Sequence, residues 1–370
     1  MTSNALEPIH QPNSRRILQA MSATRLTAVL LALVALAALF VACQPITPGA
    51  TQAMPSSDDA GALVIYSGRS ENLVAPLIER FATETGIQVE VRYGDTAEMA
   101  ATILEEGQNS PADVFFGQDA GALGAMSKAG RLQTLPDSIL ERVPVQFRSA
   151  EGEWLGVSGR ARVLAYNTNL VAPEELPADV WDLTSEQWRG KVGWAPTNGS
   201  FQAFVTALRV LESDDRAAEW LQAMLANDVQ PYSNNTAIVD AVASGEIYVG
   251  LVNHYYLYRF LAEQGDSFAA RNYFFPAGGA GAMINIAGVG VVDTARNVDA
   301  ALRFAEYLVS PEAQRYFAEE TNEYPLSDDS IPLPTDLPAL TAVQAPALDL
   351  SDLDDLQGTL QLLQEVGALD

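Results

Sequence analysis

The sequence predicts an α/β protein of two lobes, and three observations carry that expectation. The chain is 370 residues long and 48% hydrophobic, above the size at which a single core usually divides. Short apolar runs of strand length alternate with segments whose apolar residues recur at helical spacing. Gly86 stands where the first of those helical patterns should stop. Strand and helix in alternation favour an α/β fold with mainly parallel sheets.

The elements follow in order. Leu63-Val64-Ile65-Tyr66 is a short apolar run that suits a buried strand, and Ser67-Gly68-Arg69-Ser70 reads as a turn. Over residues 71–85, Leu73, Val74, Leu77, Ile78 and Phe81 mark one face of a helix. Residues 87–93 alternate as a strand, 99–106 return to a helix, and 112–116 form another apolar strand. The pattern continues with a strand over 159–166, a loop then a strand over 188–194, and a helix over 201–211. A short helix is expected over 237–243, a strand over 247–252, a Gly-rich strand over 284–292 and a helix over 298–308. Residues 348–369 read as a tail helix after a coil containing Pro332, Pro334, Pro338 and Pro346. There is no internal repeat and no Walker A loop, and the cluster Gly278, Gly279 and Gly281 opens no dinucleotide fingerprint.

The N-terminus reads as a targeting segment. Arg15, Arg16 and Arg25 precede an unbroken apolar run over residues 26–42, at the short edge for a membrane span. Ala42 then stands directly before Cys43, the only cysteine. The pattern resembles a bacterial lipobox, which implies cleavage after residue 42 and lipidation of Cys43. Met21 offers a second start that gives a signal of more usual length. A plain cleaved signal and an uncleaved anchor helix are the alternatives, and each takes the body out of the cytoplasm. Residues 43–61 are rich in Pro, Ser, Gly, Ala and Thr and read as a flexible tether.

Composition limits the chemistry. The formal charge is −26, and removal of residues 1–42 leaves 18 basic against 46 acidic residues, −28. Such acidity argues against nucleic acid, whose phosphates need clustered Lys and Arg. It fits a cationic cargo and equally a solvated acidic surface. The remaining chain holds one histidine, His254, and only Cys43 as a thiol source. Cys/His zinc sites, haem and iron–sulfur ligation therefore lack ligands. A bound metal must be held mainly by oxygen.

Six ordered motifs carry a more specific resemblance. They are Tyr66-Ser67-Gly68-Arg69, Pro111-Ala112-Asp113-Val114-Phe115-Phe116, Ser158-Gly159-Arg160-Ala161-Arg162-Val163, Asn253-His254-Tyr255-Tyr256, Gly279-Ala280-Gly281-Ala282 and Glu323-Tyr324-Pro325-Leu326. As a set, over residues 63–330, the chain resembles the ferric-iron-binding periplasmic proteins of ABC importers. The resemblance implies a type II periplasmic binding fold, with two α/β lobes joined by crossing strands around a cleft. Lobe one is then 62–160 with 286–336, and lobe two is 161–285 with 337–370. It implies ferric iron as cargo, carbonate or phosphate as a synergistic anion, an ABC permease as partner, and capture rather than catalysis; with the lipobox-like pattern, a lipid-anchored monomer in the periplasm or on the outer cell surface is expected.

Under that resemblance Tyr255 and Tyr256 are the metal ligands. The chemistry agrees, since ferric iron is a hard cation that prefers anionic oxygen and stabilises a phenolate. Side-chain packing or sugar stacking is the plainer reading of a Tyr-Tyr pair alone. The family's anion loop matches Asn198, Gly199 and Ser200 at a helix start, where backbone N–H groups suit an anion. Asn235, Asn253 and Arg160 match its other donors, and His254 matches a position that is not a ligand. The sequence departs from the family in the other lobe. Ser70 and Glu71 stand where some members place His and Tyr ligands, Gln118 replaces a glutamate ligand, and Phe201 stands at a tyrosine position. Glu71 and Gln118 remain candidate ligands, Glu71 equally a helix N-terminal acid. Rival readings are a same-fold binder of a polyamine, thiamine or phosphate ester, and a secreted hydrolase using paired acids such as Glu105-Glu106 or Asp354-Asp355.

Overall fold

The computed structural model describes residues 61–369. The targeting segment 1–42, Cys43 and the tether up to residue 60 lie outside the described residues. Chain order begins with β1 (Leu63–Ser67), α1 (Glu71–Thr85), β2 (Val89–Tyr93), α2 (Thr96–Glu106), β3 (Val114–Gly117) and α3 (Ala120–Lys128). The short α4 (Asp137–Leu140) leads to the long β4 (Trp154–Asn167). Then come β5 (Val192–Trp194), α5 (Gly199–Leu211), α6 (Asp214–Ala226), β6 (Gln230–Pro231), α7 (Asn235–Ser244), β7 (Val249–Asn253), α8 (Tyr256–Gln264) and β8 (Ala270–Tyr273). The chain closes with β9 (Ile284–Val291), α9 (Val298–Leu308), α10 (Pro311–Glu320), β10 (Tyr324–Pro325) and α11 (Leu356–Glu365).

Local sequence explains the boundaries. α1 buries Val74, Leu77, Ile78 and Phe81 on one face and ends at Gly86, whose φ of 72° only glycine adopts without strain. α3 starts at Asp119, whose carboxylate accepts the Ala122 N–H at 3.1 Å.

The strand order is β2-β1-β3-β9-β4-β7-β5-β6, with β8 and β10 also on β4. The outer pairs β1/β2, β1/β3, β5/β6 and β5/β7 are parallel. Every pair that involves β4 or β9 is antiparallel, so the expectation of mainly parallel sheets holds only for the outer strands. The reason is that β4 runs through both halves of the molecule. Its residues Trp154 to Ala161 pair with β9, and Arg162 to Asn167 pair with β7 and β8. Each half has its own aromatic core. Phe81 and Phe116 pack edge-on against Phe304, at 5.1 and 6.2 Å between ring centres. Trp194, Phe201, Phe204 and Trp220 form the other cluster. The result is a two-lobed α/β fold.

The tail differs from the single helix expected over 348–369. Residues Leu350–Asp354 form a 3-10 turn, and a regular helix begins only at Leu356. Asp349 caps the turn, and Asp355 caps the helix by accepting the Gly358 N–H at 2.9 Å. Two caps six residues apart make two elements of one amphipathic stretch.

Candidate functional site

β7 is buried along its whole length and ends at Asn253, so the residues that follow it emerge at the carboxyl end of a strand. Tyr255 already has helical φ and ψ of −70° and −20°, and Tyr256 opens α8. The pair therefore leaves the strand before its side chains are placed. Their rings stack at 4.3 Å with 27° between planes, so the two phenols lie side by side. Both are half-buried. Burial raises the Tyr255 phenol far above its usual value, the neighbouring Tyr256 adds to this, and Arg160 opposes it. Without a cation in front of it, Tyr255 is a neutral phenol.

His254 is wholly buried and fully engaged. The Ala161 N–H donates to Nδ1 at 3.0 Å, and Nε2 lies 2.9 Å from the Asn322 carbonyl. The proton thus sits on Nε2, and neither nitrogen has a lone pair left for a metal. The ring ties the turn before the tyrosines to β4. Burial drives its pKa down to about 4, against 6.5 for a free imidazole. As pH falls, the unfolded chain takes up this proton first. The protein is expected to lose up to about 3 kcal/mol of stability between pH 6.5 and 4 from this group. Denaturant melts across that window check it. His254→Gln should flatten the slope, and an unchanged slope would assign it to carboxylates instead.

A buried charge network surrounds the pair. The Arg69 Nη2 donates to Glu323 at 2.9 Å, both groups being essentially unexposed. The Ser158 hydroxyl donates to the other Glu323 oxygen. Burial pushes the Glu323 carboxyl up, but Arg69 and Arg160 outweigh it and hold the group below the usual range. Arg160 donates to the carbonyls of Gln118 and Ile286, and is the cation that faces Tyr255. Arg162 is also fully buried. It donates to the Leu251 carbonyl at 3.1 Å and lies over the rings of Phe201 and Phe204 at 5.6 and 5.2 Å. Its Nε and Nη1 have no hydrogen-bond partner among the described residues. Burial lowers its pKa to about 9, and Tyr256 is the one group that raises it. Three arginines thus stand against one carboxylate.

The expected anion loop forms one hydrogen-bonded unit. Asn198 caps α5, its Oδ1 accepting from the Ser200 N–H at 3.1 Å and hydroxyl at 2.6 Å. The Asn235 amide donates to Asn198 Oδ1 at 3.1 Å and to Ser200 Oγ at 3.0 Å. Gly199 is exposed, with no heavy atom within 4 Å of where a Cβ would stand. The start of α5 is therefore open. Asn253 is buried and pairs with Arg162 across the sheet.

The other expected residues are less connected. Gln118 precedes α3, and its side-chain Oε1 is buried without a partner among the described residues. Glu71 is exposed in the first turn of α1, and the tyrosine its charge reaches is Tyr93, whose pKa is raised by burial first and by Glu71 second. Phe201 belongs to the aromatic core, 5.3 Å from Trp194. Arg69, Arg162 and Glu323 are not among the residues expected at the site. One signal was available for Arg162, because Ser158, Arg160 and Arg162 alternate along one strand and so share a face.

A two-lobed α/β body with polar groups gathered at strand and helix ends defines a solute-capturing protein. Residues 76–346 match the model of the bacterial extracellular solute-binding protein family, and the chain belongs to that family. It is 31% identical over 323 residues to the major ferric iron-binding protein of Neisseria meningitidis, covering 86% of this chain and 95% of that one. It is 37% identical over 270 residues to iron uptake protein A1 of Synechocystis, covering 71% and 75%. Iron-bound HitA from Pseudomonas aeruginosa is similar with a TM-score of 0.76 at 30% identity, over 83% of this chain and 99% of that one. Trichodesmium IdiA (FutA) in complex with iron and citrate gives 0.73 at 35% identity, over the same shares.

Proposed function

We propose that this chain is an extracytoplasmic, lipid-anchored binding protein that captures ferric iron together with an oxyanion and delivers it to an ABC permease. The observation that carries the reading is the stacked Tyr255–Tyr256 pair at the end of β7, faced by Arg160 and Arg162. The relatives named for ferric iron support the cargo. Tyr255 and Tyr256 bind the ion as phenolates, since a trivalent cation is the largest local charge and displaces both protons. The charge balance supports this. Two phenolates cancel the excess of arginine over Glu323, the ion restores three positive charges, and an oxyanion offsets most of them. That anion, carbonate or phosphate, sits at the open start of α5, where Asn198, Gly199, Ser200 and Asn235 gather, with Asn253 and Arg160 as further donors. Glu71 and Gln118 are the candidates from the opposite wall. We take lobe one as 62–160 with 286–336 and lobe two as 161–285 with 337–370, a division supported by the change of partners along β4. Closure of the lobes over the loaded ion then presents the form that the permease recognises.

The arginine excess also favours a second reading, a same-fold binder of a phosphate ester. It disfavours a polyamine. One titration separates the two. A soluble form beginning after Cys43 is stripped with a chelator and titrated with ferric citrate, with and without bicarbonate or phosphate. A visible phenolate-to-iron band that saturates at one iron per chain is the expected result. No band and no thermal stabilisation by iron would overturn the ferric reading, and stabilisation by a sugar phosphate instead would establish the second.

A further inference from the structure

Asp354 and Asp355, adjacent at the junction of the tail's 3-10 turn and α11, are held by cations from two different helices. Lys128, the last residue of α3, lies 2.8 Å from Asp354 and 3.5 Å from Asp352. Arg209, near the end of α5, lies 2.8 Å from Asp355 and donates to the Thr359 hydroxyl at 2.9 Å. The helices reached in this way are the two whose starts face the candidate site. α3 is capped by Asp119, next to Gln118, and α5 is capped by Asn198.

The packing around the junction is close on both sides. A Cβ on Gly121 would stand 2.3 Å from the Leu353 carbonyl, and one on Gly124 would stand 2.4 Å from that of Ser351. These two glycines, three apart on one face of α3, let the tail backbone lie directly on the helix. On the other side the hydroxyls of Thr206 in α5 and Thr359 in α11 meet at 2.7 Å, fully buried. Just upstream, tail residues 345–348 and Leu350 line a half-open pocket of about 290 Å³ together with Phe147, Met283 and Ile284. Ile284 opens β9, so there is empty space beside the strand that pairs β4 with β3. Close-packed interiors resist deformation, and a partly open pocket at this point leaves room for movement.

We propose that the Asp354–Asp355 junction is a positioning element of cargo capture: it sets how far apart α3 and α5, and through them the two walls of the cleft, stand before the lobes close. This rests on the cleft assignment made above. Loosening the junction favours a wider cleft and faster loss of cargo without touching any group that binds it.

The test uses the soluble chain, which has no cysteine after residue 43, so spin labels at Thr83→Cys and Gln222→Cys report one distance. In the iron-free protein, Asp354→Asn with Asp355→Asn is expected to lengthen and broaden that distance. Iron release into a chelator is expected to quicken roughly fivefold, the scale of two partly exposed ion pairs. The charge swap Lys128→Asp with Asp354→Lys should restore the wild-type distance. High salt should erase the difference between wild type and variant. Gly124→Ala gives a second, uncharged route to the same loosening. A fall in melting temperature with unchanged distance and release would mean a merely structural role and overturn the proposal. If no iron binds at all, the ferric reading fails, and the label distances still decide the junction's role.

Discussion

A chain carrying both Tyr255→Phe and Tyr256→Phe is expected to keep its fold and lose ferric iron. Phenylalanine retains the stacked rings, so the melting temperature of the iron-free protein should change little. The metal loses both anionic oxygens. Changes to groups that only support metal ligands cost about 10–100-fold in affinity, so loss of two ligands should cost at least roughly a thousandfold. Isothermal or spectroscopic titration reads the affinity, and the visible band should vanish. Each single variant should bind weakly with a shifted band. Tyr232→Phe serves as the control, because Tyr232 bonds to Glu246 away from the cleft. If the double variant binds iron as tightly as wild type, the ligands lie elsewhere and the stacked pair is only packing.

Glu323→Gln is expected to produce the largest loss of stability. The carboxylate is buried between Arg69 and Ser158 and also faces Arg160. Removing its charge leaves two buried guanidinium groups without a counter-charge, which typically costs roughly 3–5 kcal/mol. For a body of this size that is a fall of about 10 °C in melting temperature. Arg69→Met in the same chain should return part of it, because the second substitution removes one stranded cation. A Glu323→Gln protein as stable as wild type would mean that the arginines find other partners. The pH dependence has a definite sign. Because the arginines hold the Glu323 pKa below its usual value, its contribution is present above the ordinary carboxylate range and is lost as pH falls through the lowered value.

Much of the fold is legible from local pattern. The first strand and helix, the body of α5 and the β9 run follow from apolar spacing and the Gly86 stop, while α5 begins two residues before the expected Phe201. α3 is illegible for a physical reason. Its sequence, AGALGAMSK, contains two glycines that each cost about 1 kcal/mol of helix propensity relative to alanine, and tertiary packing, of the tail on those glycines and of Leu123 and Met126 in the core, offsets that cost. α8 escapes because Tyr256, Leu257, Tyr258, Phe260 and Leu261 crowd the helix with apolar residues and blur its period. For the site, adjacent residues such as Tyr255-Tyr256 and Asn198-Gly199-Ser200 announce themselves. The Arg69–Glu323 pair does not, because its members are 254 residues apart and each alone looks like an ordinary surface charge.

The long reach of β9 has a consequence for how the chain is made. Phe116 on β3 pairs with Val289, so the first sheet lacks a neighbouring strand until most of the chain exists. At 5–20 residues per second the wait is on the order of 10–30 s. The half built on β1, β2, β3 and β9 is not one continuous stretch of chain, so no growing N-terminal fragment can complete that sheet and lock. A member of an extracellular solute-binding family gains by this, because a polypeptide that cannot lock early can still be threaded across a membrane.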